Sequence, residues 1–289
     1  MSQKVAIFGS AGQLGVELCR ELASRGYFVA GFERSRIDIT DRELIERSLA
    51  EIDPSVVINA AAYNQVDVAE TEPQAAVAVN ALGVRNLALA CRQIDARLVH
   101  FSTDYVFDGA AGRPYTEDDA PHPLGAYAVS KYAGELYARA YLEDPLLIRT
   151  SGVYGPGGAV TRRGNFVEMM LRLAANGQPI RVVDDHVASP TYAPLLAART
   201  ADLIDRKLSG VFHVGGGTPI SWFQFAAAIF RERNLKPELR ATTAREYRTP
   251  ARRPPYSALS NGKMESMGLK PMPAVEEAIE LYFRARAGS

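Results

Sequence analysis

Tyr127 and Lys131 stand four residues apart in Tyr127-Ala-Val-Ser-Lys131, so on a helix a phenol and an ammonium share one face. A free tyrosine ionises near pH ~10, and a neighbouring cation favours its charged form. The pair can therefore transfer a proton near neutral pH if a reacting group beside it needs one. By itself the spacing is equally that of a surface pair. Upstream, the run Ser102-Thr103-Asp104-Tyr105-Val106-Phe107-Asp108-Gly109 brings two hydroxyls together behind an apolar stretch, and Pro121, Pro123 and Gly125 break the chain just before the Tyr127 segment.

The elements that must position these groups lie in the first half. Residues 4–8 form an apolar run that fits a buried parallel strand. Gly9-Ser-Ala-Gly12-Gln-Leu-Gly15 follows and leads into a helical pattern at 16–23 that ends at Gly26. Strand, glycine turn and helix together let backbone N–H groups and a helix N-terminus hold a pyrophosphate, although the spacing is G-x-x-G-x-x-G rather than G-x-G-x-x-G. A second strand at 27–32 ends on Glu33-Arg34. An acid there accepts the ribose hydroxyls of NAD, while an arginine meets the 2′-phosphate of NADP, so the choice between NADH and NADPH stays open. Asp38-Ile39-Thr40-Asp41 reads as a turn and helix cap, with Asp41 or Thr40 as the cap. A strand at 54–60 closes on Ala60, Ala61 and Ala62, small enough to let a dinucleotide approach the backbone. Helices at 72–80 and 83–92 and a strand at 98–102 complete an alternation that specifies a Rossmann-like, doubly wound parallel sheet. Ser102 and Thr103 then fall at a strand's carboxyl end, where such sheets bind ligands.

Composition excludes several other classes. At 289 residues the chain suits one large domain and a smaller one, and 47% hydrophobic with 23% charged residues is ordinary for a globular protein with a full core. Thirty-three basic residues balance thirty-three acidic ones with no basic stripe, so neither nucleic acid nor a membrane is an expected partner. No apolar run is expected to approach the ~18 residues of a membrane span, and the N-terminus leaves no room for a signal peptide. Cys19 and Cys91 read as small buried thiols in a reducing compartment, which points to the cytoplasm. His100, His122, His186 and His213 lack metal-ligand spacing, and Glu17 alone does not justify a metal, so none is expected.

Taken together, the glycine turn, the strand-end hydroxyls and the Tyr-x-x-x-Lys segment resemble the extended short-chain dehydrogenase/reductase family. Asn59-Ala-Ala-Ala-Tyr63, Val66-Asp67-x-Ala-Glu70, Ser102 to Gly109, Pro114-Tyr115-x-Glu117-Asp118, Val182-Val-Asp-Asp185, Ser189-Pro-Thr-Tyr192 and Thr249-Pro-Ala-Arg-Arg-Pro254 narrow the resemblance to its dTDP-4-dehydrorhamnose reductase branch, over nearly the whole chain. Related sugar dehydratases carry Asp-Glu after the threonine, where this chain has Asp104-Tyr105. The resemblance implies an NAD(P)H-dependent oxidoreductase that reduces the C4 ketone of dTDP-4-dehydro-L-rhamnose to dTDP-L-rhamnose. It implies Tyr127 as proton donor, Thr103 as hydrogen-bond partner of the same oxygen, and Lys131 lowering the Tyr127 pKa and binding the nicotinamide ribose. The expected cofactor set is Gly9, Gly12, Gln13, Leu14, Gly15, Glu33, Arg34, Asp38, Ile39, Ala60, Ala61, Ala62, Tyr63 and Ser102, with Tyr127 and Lys131. The expected substrate set is Asp104, Tyr105, Val106, Phe107, Gly152, Asn165, Arg252 and Arg253.

The second half is less local. Gly152 stands where the family carries a tryptophan against the sugar, and His186-Val-Ala188 where it more often shows Gln, an aliphatic residue and Gly. The chain's one tryptophan, Trp222, reads as packing for a C-terminal helix, with a ligand contact as the alternative. Asn165 is either near the nucleotide sugar or a plain helix cap. Arg252 and Arg253, in a proline-stiffened run, suit a pyrophosphate, the alternative being one buried in a salt bridge and one solvated. Glu117-Asp118-Asp119 reads as a solvated turn. The expected lobes are 1–151 with about 187–210 for the dinucleotide, and 152–186 with 211–289 for the sugar nucleotide. A homodimer is the assembly the family suggests. Two other readings stay open: a reductase of another nucleotide-linked 4-keto-6-deoxy sugar, or a non-catalytic NADP-binding regulatory subunit like the methionine adenosyltransferase beta subunit.

Overall fold

The computed structural model describes residues 3–159 and 164–287. In chain order the strands are β1 (Lys4–Phe8), β2 (Phe28–Phe32), β3 (Val56–Asn59), β4 (Arg97–Thr103), β5 (Leu146–Thr150), β6 (Ile180–Val183), β7 (Val187–Ala188), β8 (Gly210–His213), β9 (Ile220–Ser221) and β10 (Leu239–Thr242). The helices are α1 (Gln13–Ser24), α2 (Arg42–Ile52), α3 (Pro73–Val77), α4 (Val84–Gln93), α5 (Ala126–Tyr141), α6 (Pro156–Ala159), α7 (Phe166–Ala175), α8 (Ala193–Asp205), α9 (Trp222–Glu232), α10 (Gly262–Ser266) and α11 (Val275–Ala287).

Six strands form one parallel sheet in the order β2-β1-β3-β4-β5-β8. Its strands are continuous apolar runs because both faces are covered. Val5 and Ile7 of β1 pack with Leu18 and Leu22 of α1 and Leu196 of α8. The alternate residues Ala6 and Phe8 face Ile45 and Leu49 of α2 and Leu87 and Cys91 of α4. The strand order reverses at β1, between β2 and β3, and the glycine turn after β1 opens at that switch point.

The two helices expected at 72–80 and 83–92 are one rod. A π-helical turn, Ala78–Gly83, joins α3 to α4 without a break. Asn80 lies in this turn, 1% exposed, and is fully used: it accepts from Tyr63 N at 2.8 Å and donates to Tyr63 O and Ser130 Oγ, each at 3.0 Å. The wide turn therefore aims an amide at the cofactor loop and at the helix carrying Tyr127. By length and composition the rod Pro73–Gln93 is apolar enough to cross a bilayer, which corrects the expectation that no run approaches that length. Val84, Leu87, Ala88 and Cys91 sit in the core beneath the sheet, so packing accounts for its apolar character.

The smaller lobe gathers α7, α9 and α11 with the two-stranded pairs β6–β10 and β7–β9. Its core centres on Tyr154, Tyr192, Phe225 and Tyr282, with Tyr154 5.3–5.8 Å from the other three ring centroids. One expected boundary needs moving. The expected sugar-nucleotide lobe begins at 211, yet β8 pairs with β5 and completes the large sheet, burying Phe212 in one core and Val211 in the other. Met264, Leu269 and Met272 also return to the large core.

Candidate active site

The cofactor side is built from backbone. Gly9 adopts φ +80 and its carbonyl accepts from Gly12 N at 2.9 Å, which closes the turn before α1. A Cβ on Gly15 would lie 2.1 Å from Gly9 O, and one on Gly9 would lie 2.6 Å from Ala61 N. No side chain fits these positions, and the backbone is left open toward a ligand. Gly9, Gly12, Glu33, Arg34, Asp38, Ile39, Ala60, Ala61, Ala62 and Tyr63 line one cleft of about 350 Å³. Burial pushes the Asp38 carboxyl up, but hydrogen bonds from Thr40 and the nearby Arg34 outweigh it and hold it below the usual range. Ser102 Oγ is buried and has no hydrogen-bond partner among the described residues, which suits a polar group arriving from a ligand. A dinucleotide fits this cradle. The Gln13 side chain donates to Val153 O at 2.7 Å, tying the first turn of α1 to the loop after β5, and Leu14 packs against the large core.

Next along the sheet lie Thr103, Tyr127 and Lys131. Thr103 ends β4, and Gly125 starts α5, whose first turn carries Tyr127. Gly125 has no side chain to cap the helix, so Glu70 Oε1 accepts from Ala126 N at 2.9 Å instead. Burial drives the Tyr127 phenol well above its ordinary value, a hydrogen bond with Thr103 pulls it back, and Asp104 and Tyr105 push it further up. Tyr127 therefore holds its proton at neutral pH. Lys131 is 3% exposed and donates to Phe101 O at 2.6 Å. Burial lowers its ammonium to about 8, with Glu135 opposing. The ammonium turns to the β4 carbonyl, and desolvation is the largest influence on the phenol.

The sugar side is a second cleft of about 1100 Å³, at the upper end for a small-molecule site and large enough for a two-part ligand. Tyr105, Arg252 and Arg253 line it as expected. The other expected substrate residues do not. Asp104 is 2% exposed, and its carboxylate accepts from Thr103 Oγ1 at 3.1 Å, Ser151 Oγ at 2.7 Å and Ser257 Oγ at 2.5 Å. It is a buried brace, and burial raises its pKa to about 6 against those three hydroxyls. Val106 and Phe107 are fully buried with Tyr115 and Leu259. Asn165 caps α7 by accepting from Glu168 N at 3.0 Å and donates to Gly155 O, which spends its amide inside the protein. Arg253 makes a two-pronged salt bridge with Asp67, both contacts at 2.9 Å, and also reaches Tyr105. Arg252 is exposed at the cleft, with no hydrogen bond or ion pair among the described residues.

Gly152 (φ +48) lies against Trp222, whose ring tip would be 2.9 Å from a Cβ placed there. The indole thus covers the position where the family carries tryptophan, packs against Phe166 at a tilt with ring centroids 4.8 Å apart, and lines the cleft. Trp222 opens α9, packs against Phe225 and also lines the cleft. His186 also lines the cleft, its pKa lowered by burial. Sequence reasoning missed Phe166, Met169, Arg181, Tyr247 and Arg248. They come from separate segments with no shared motif, so only folding brings them together. Glu117, expected in a solvated turn, is half-buried and accepts from His213 N at 2.7 Å, closing the end of β8.

A model of the RmlD substrate binding domain family matches residues 3–287. The chain belongs to that family. The spore coat polysaccharide biosynthesis protein SpsK of Bacillus subtilis is 39% identical, covering 99% of each chain. The dTDP-4-dehydrorhamnose reductase of Mycolicibacterium smegmatis is 40% identical over 100% of this chain and 88% of its own. Among solved structures, the Bacillus anthracis dTDP-4-dehydrorhamnose reductase in complex with NADP superposes with a TM-score of 0.94 at 37% identity, covering 99% of this chain and 100% of that one. The Rossmann-like class read from the strand–helix alternation agrees with this neighbour and with the parallel sheet.

Proposed function

We propose that the protein is an NADPH-dependent reductase of the C4 ketone of dTDP-4-dehydro-L-rhamnose, giving dTDP-L-rhamnose. The observation that carries this reading is the protonated, half-buried phenol of Tyr127 beside the Thr103 hydroxyl, between a backbone cradle for a dinucleotide and a large cleft edged by arginines. A nicotinamide bound in the cradle supplies the hydride. The chain's own groups do the rest. As the ketone oxygen gains negative charge, the Thr103 hydroxyl turns its one proton from Asp104 to that oxygen and Tyr127 transfers its proton. The raised phenol pKa keeps that proton in place until an alkoxide, a much stronger base, develops. Lys131, fixed by Phe101 O, presents its remaining N–H bonds toward the nicotinamide ribose. Arg252 and Arg248 supply the charge that a pyrophosphate needs, while Arg253, already paired with Asp67, shapes the wall.

Two features bear on the setting of this activity. Both thiols, Cys19 and Cys91, are free, which supports a cytoplasmic address. A homodimer remains the expected assembly, and light scattering on the purified protein tests it.

The reaction is tested by supplying a panel of dTDP-4-keto sugars with NADPH or NADH and following reduced-nicotinamide absorbance. Oxidation with the rhamnose precursor is the expected result. Turnover only with another 4-keto sugar would move the substrate assignment, and tight NADP binding with no reduction of any ketone would favour the regulatory-subunit reading. Tyr127→Phe should lower kcat roughly 10²- to 10⁴-fold while leaving the NADPH Kd unchanged. Normal turnover in that variant would remove Tyr127 from the mechanism.

A further inference from the structure

We propose that Glu135, held by Arg149, is a positioning residue for this reaction, acting through Lys131 to keep that ammonium charged and turned toward the end of β4. The proposal rests on the reductase reading above. Tyr127, Lys131 and Glu135 recur every fourth residue along α5, so they line up on one face of the helix. That face is buried: Lys131 is 3% exposed and Glu135 0%. From β5, Arg149, 2% exposed, meets Glu135 with two parallel hydrogen bonds, Nε to Oε1 at 2.9 Å and a terminal nitrogen to Oε2 at 2.8 Å. The guanidinium also lies over the Phe107 ring, 5.2 Å from its centroid.

A buried ion pair is a poor device for stability alone, because desolving two charges offsets much of their attraction and apolar replacements often serve as well. The placement of this pair suggests a second use. Charged and titratable groups on three elements bear on this buried face. On α5 Glu135 is the anion and Tyr127 a neutral phenol; on β5 Arg149 is already committed to Glu135; on β4 His100, fully buried, is kept neutral by burial and by Lys131 itself. Glu135 is thus the one anion among these neighbours that favours a charged Lys131, and burial opposes it. With the carboxylate gone, burial acts unopposed and two cations, Lys131 and Arg149, are left in the same interior. Lysine is charged below its pKa, so losing Glu135 should cut off the ammonium at lower pH.

The test is the pH dependence of kcat and, independently of turnover, of the NADPH Kd. Glu135→Gln should move the alkaline limb of both profiles down by about one pH unit, roughly tenfold at the alkaline end. Because that variant strands a buried guanidinium and can fail to fold, the double variant Glu135→Gln/Arg149→Met, with both charges removed, is measured beside it and should show the same direction. Arg149→Lys keeps the carboxylate paired and should leave the limb in place. A folded double variant whose limbs coincide with wild type, or whose loss is uniform across pH, would reduce the pair to a structural role and overturn the proposal. If wild type itself reduces no ketone, the reductase reading fails, and the Kd profile still decides the role of Glu135.

Discussion

The two clefts of this protein are made in opposite ways. The cofactor cleft is a backbone surface: three glycines within seven residues and three consecutive alanines bring main chain to the ligand, and the steric limits are set by atoms of the same turn or the next strand. The sugar cleft is a side-chain surface, assembled from α7, β6, His186, α9 and the 244–255 segment. It is held to the sheet by distant pins, Asp104 with Ser151 and Ser257, and Asp67 with Arg253. A backbone cradle tolerates almost no added atom, whereas a side-chain cleft can be reshaped one residue at a time without touching Thr103 or Tyr127. The chemistry can therefore be kept while the sugar preference changes.

The largest effect should come from breaking the backbone surface. In Gly15→Ala the new methyl would meet Gly9 O at 2.1 Å, a main-chain atom that cannot swing aside. The turn must deform, and NADPH affinity should fall at least ~100-fold, about 3 kcal/mol or more. Titration of NADPH fluorescence with circular dichroism as a folding control measures this. Near-normal binding would mean that the cradle is more plastic than its contacts imply.

The next test addresses a pin of the sugar cleft. The Asp104 pKa is raised to about 6 from an ordinary value of 3.8, so the folded state holds its proton more tightly than the unfolded chain. The stability this contributes is fully present below pH ~4 and is lost as pH rises through about 6, at ~1.4 kcal/mol per pH unit between the two values, or roughly 3 kcal/mol. The stability advantage of wild type over Asp104→Asn should accordingly shrink by that amount between pH ~4 and ~7, read from urea unfolding at each pH. A difference that stays flat with pH would show that Asp104 keeps an ordinary pKa and that the three hydroxyls fully compensate its burial.

The same contrast explains what was legible in the sequence. Local spacing encodes the backbone cradle, so Gly9 to Gly15, Glu33 and the three alanines could be placed without a structure, as could the helix that pairs Tyr127 with Lys131. What failed is non-local. Asp104, Val106 and Phe107 belong to the most specific run of the chain, yet whether a side chain there faces ligand or core depends on Ser151, Ser257, Tyr115 and Leu259, which are far off in sequence. For Arg253 the partner that claims its guanidinium, Asp67, lies nearly two hundred residues away. The edge strand β8 was given to the wrong lobe because a short apolar run carries no mark of which sheet it joins.

The smallest expected effect sharpens the comparison most, because it tests whether the side-chain surface can be edited alone. Trp222→Ala removes the ring that packs against Phe166 and covers Gly152. The KM for the sugar nucleotide should rise about tenfold, equivalent to ~1.4 kcal/mol, with kcat and the NADPH Kd little changed. Gly152→Ala in the wild-type background should cost stability for two reasons, its positive φ and the 2.9 Å approach to the indole. In the Trp222→Ala background only the first remains. The two substitutions should therefore be non-additive, the double variant being more stable than the sum of the single losses predicts. Simple additivity would mean that the indole moves aside freely and that Gly152 and Trp222 do not share one space.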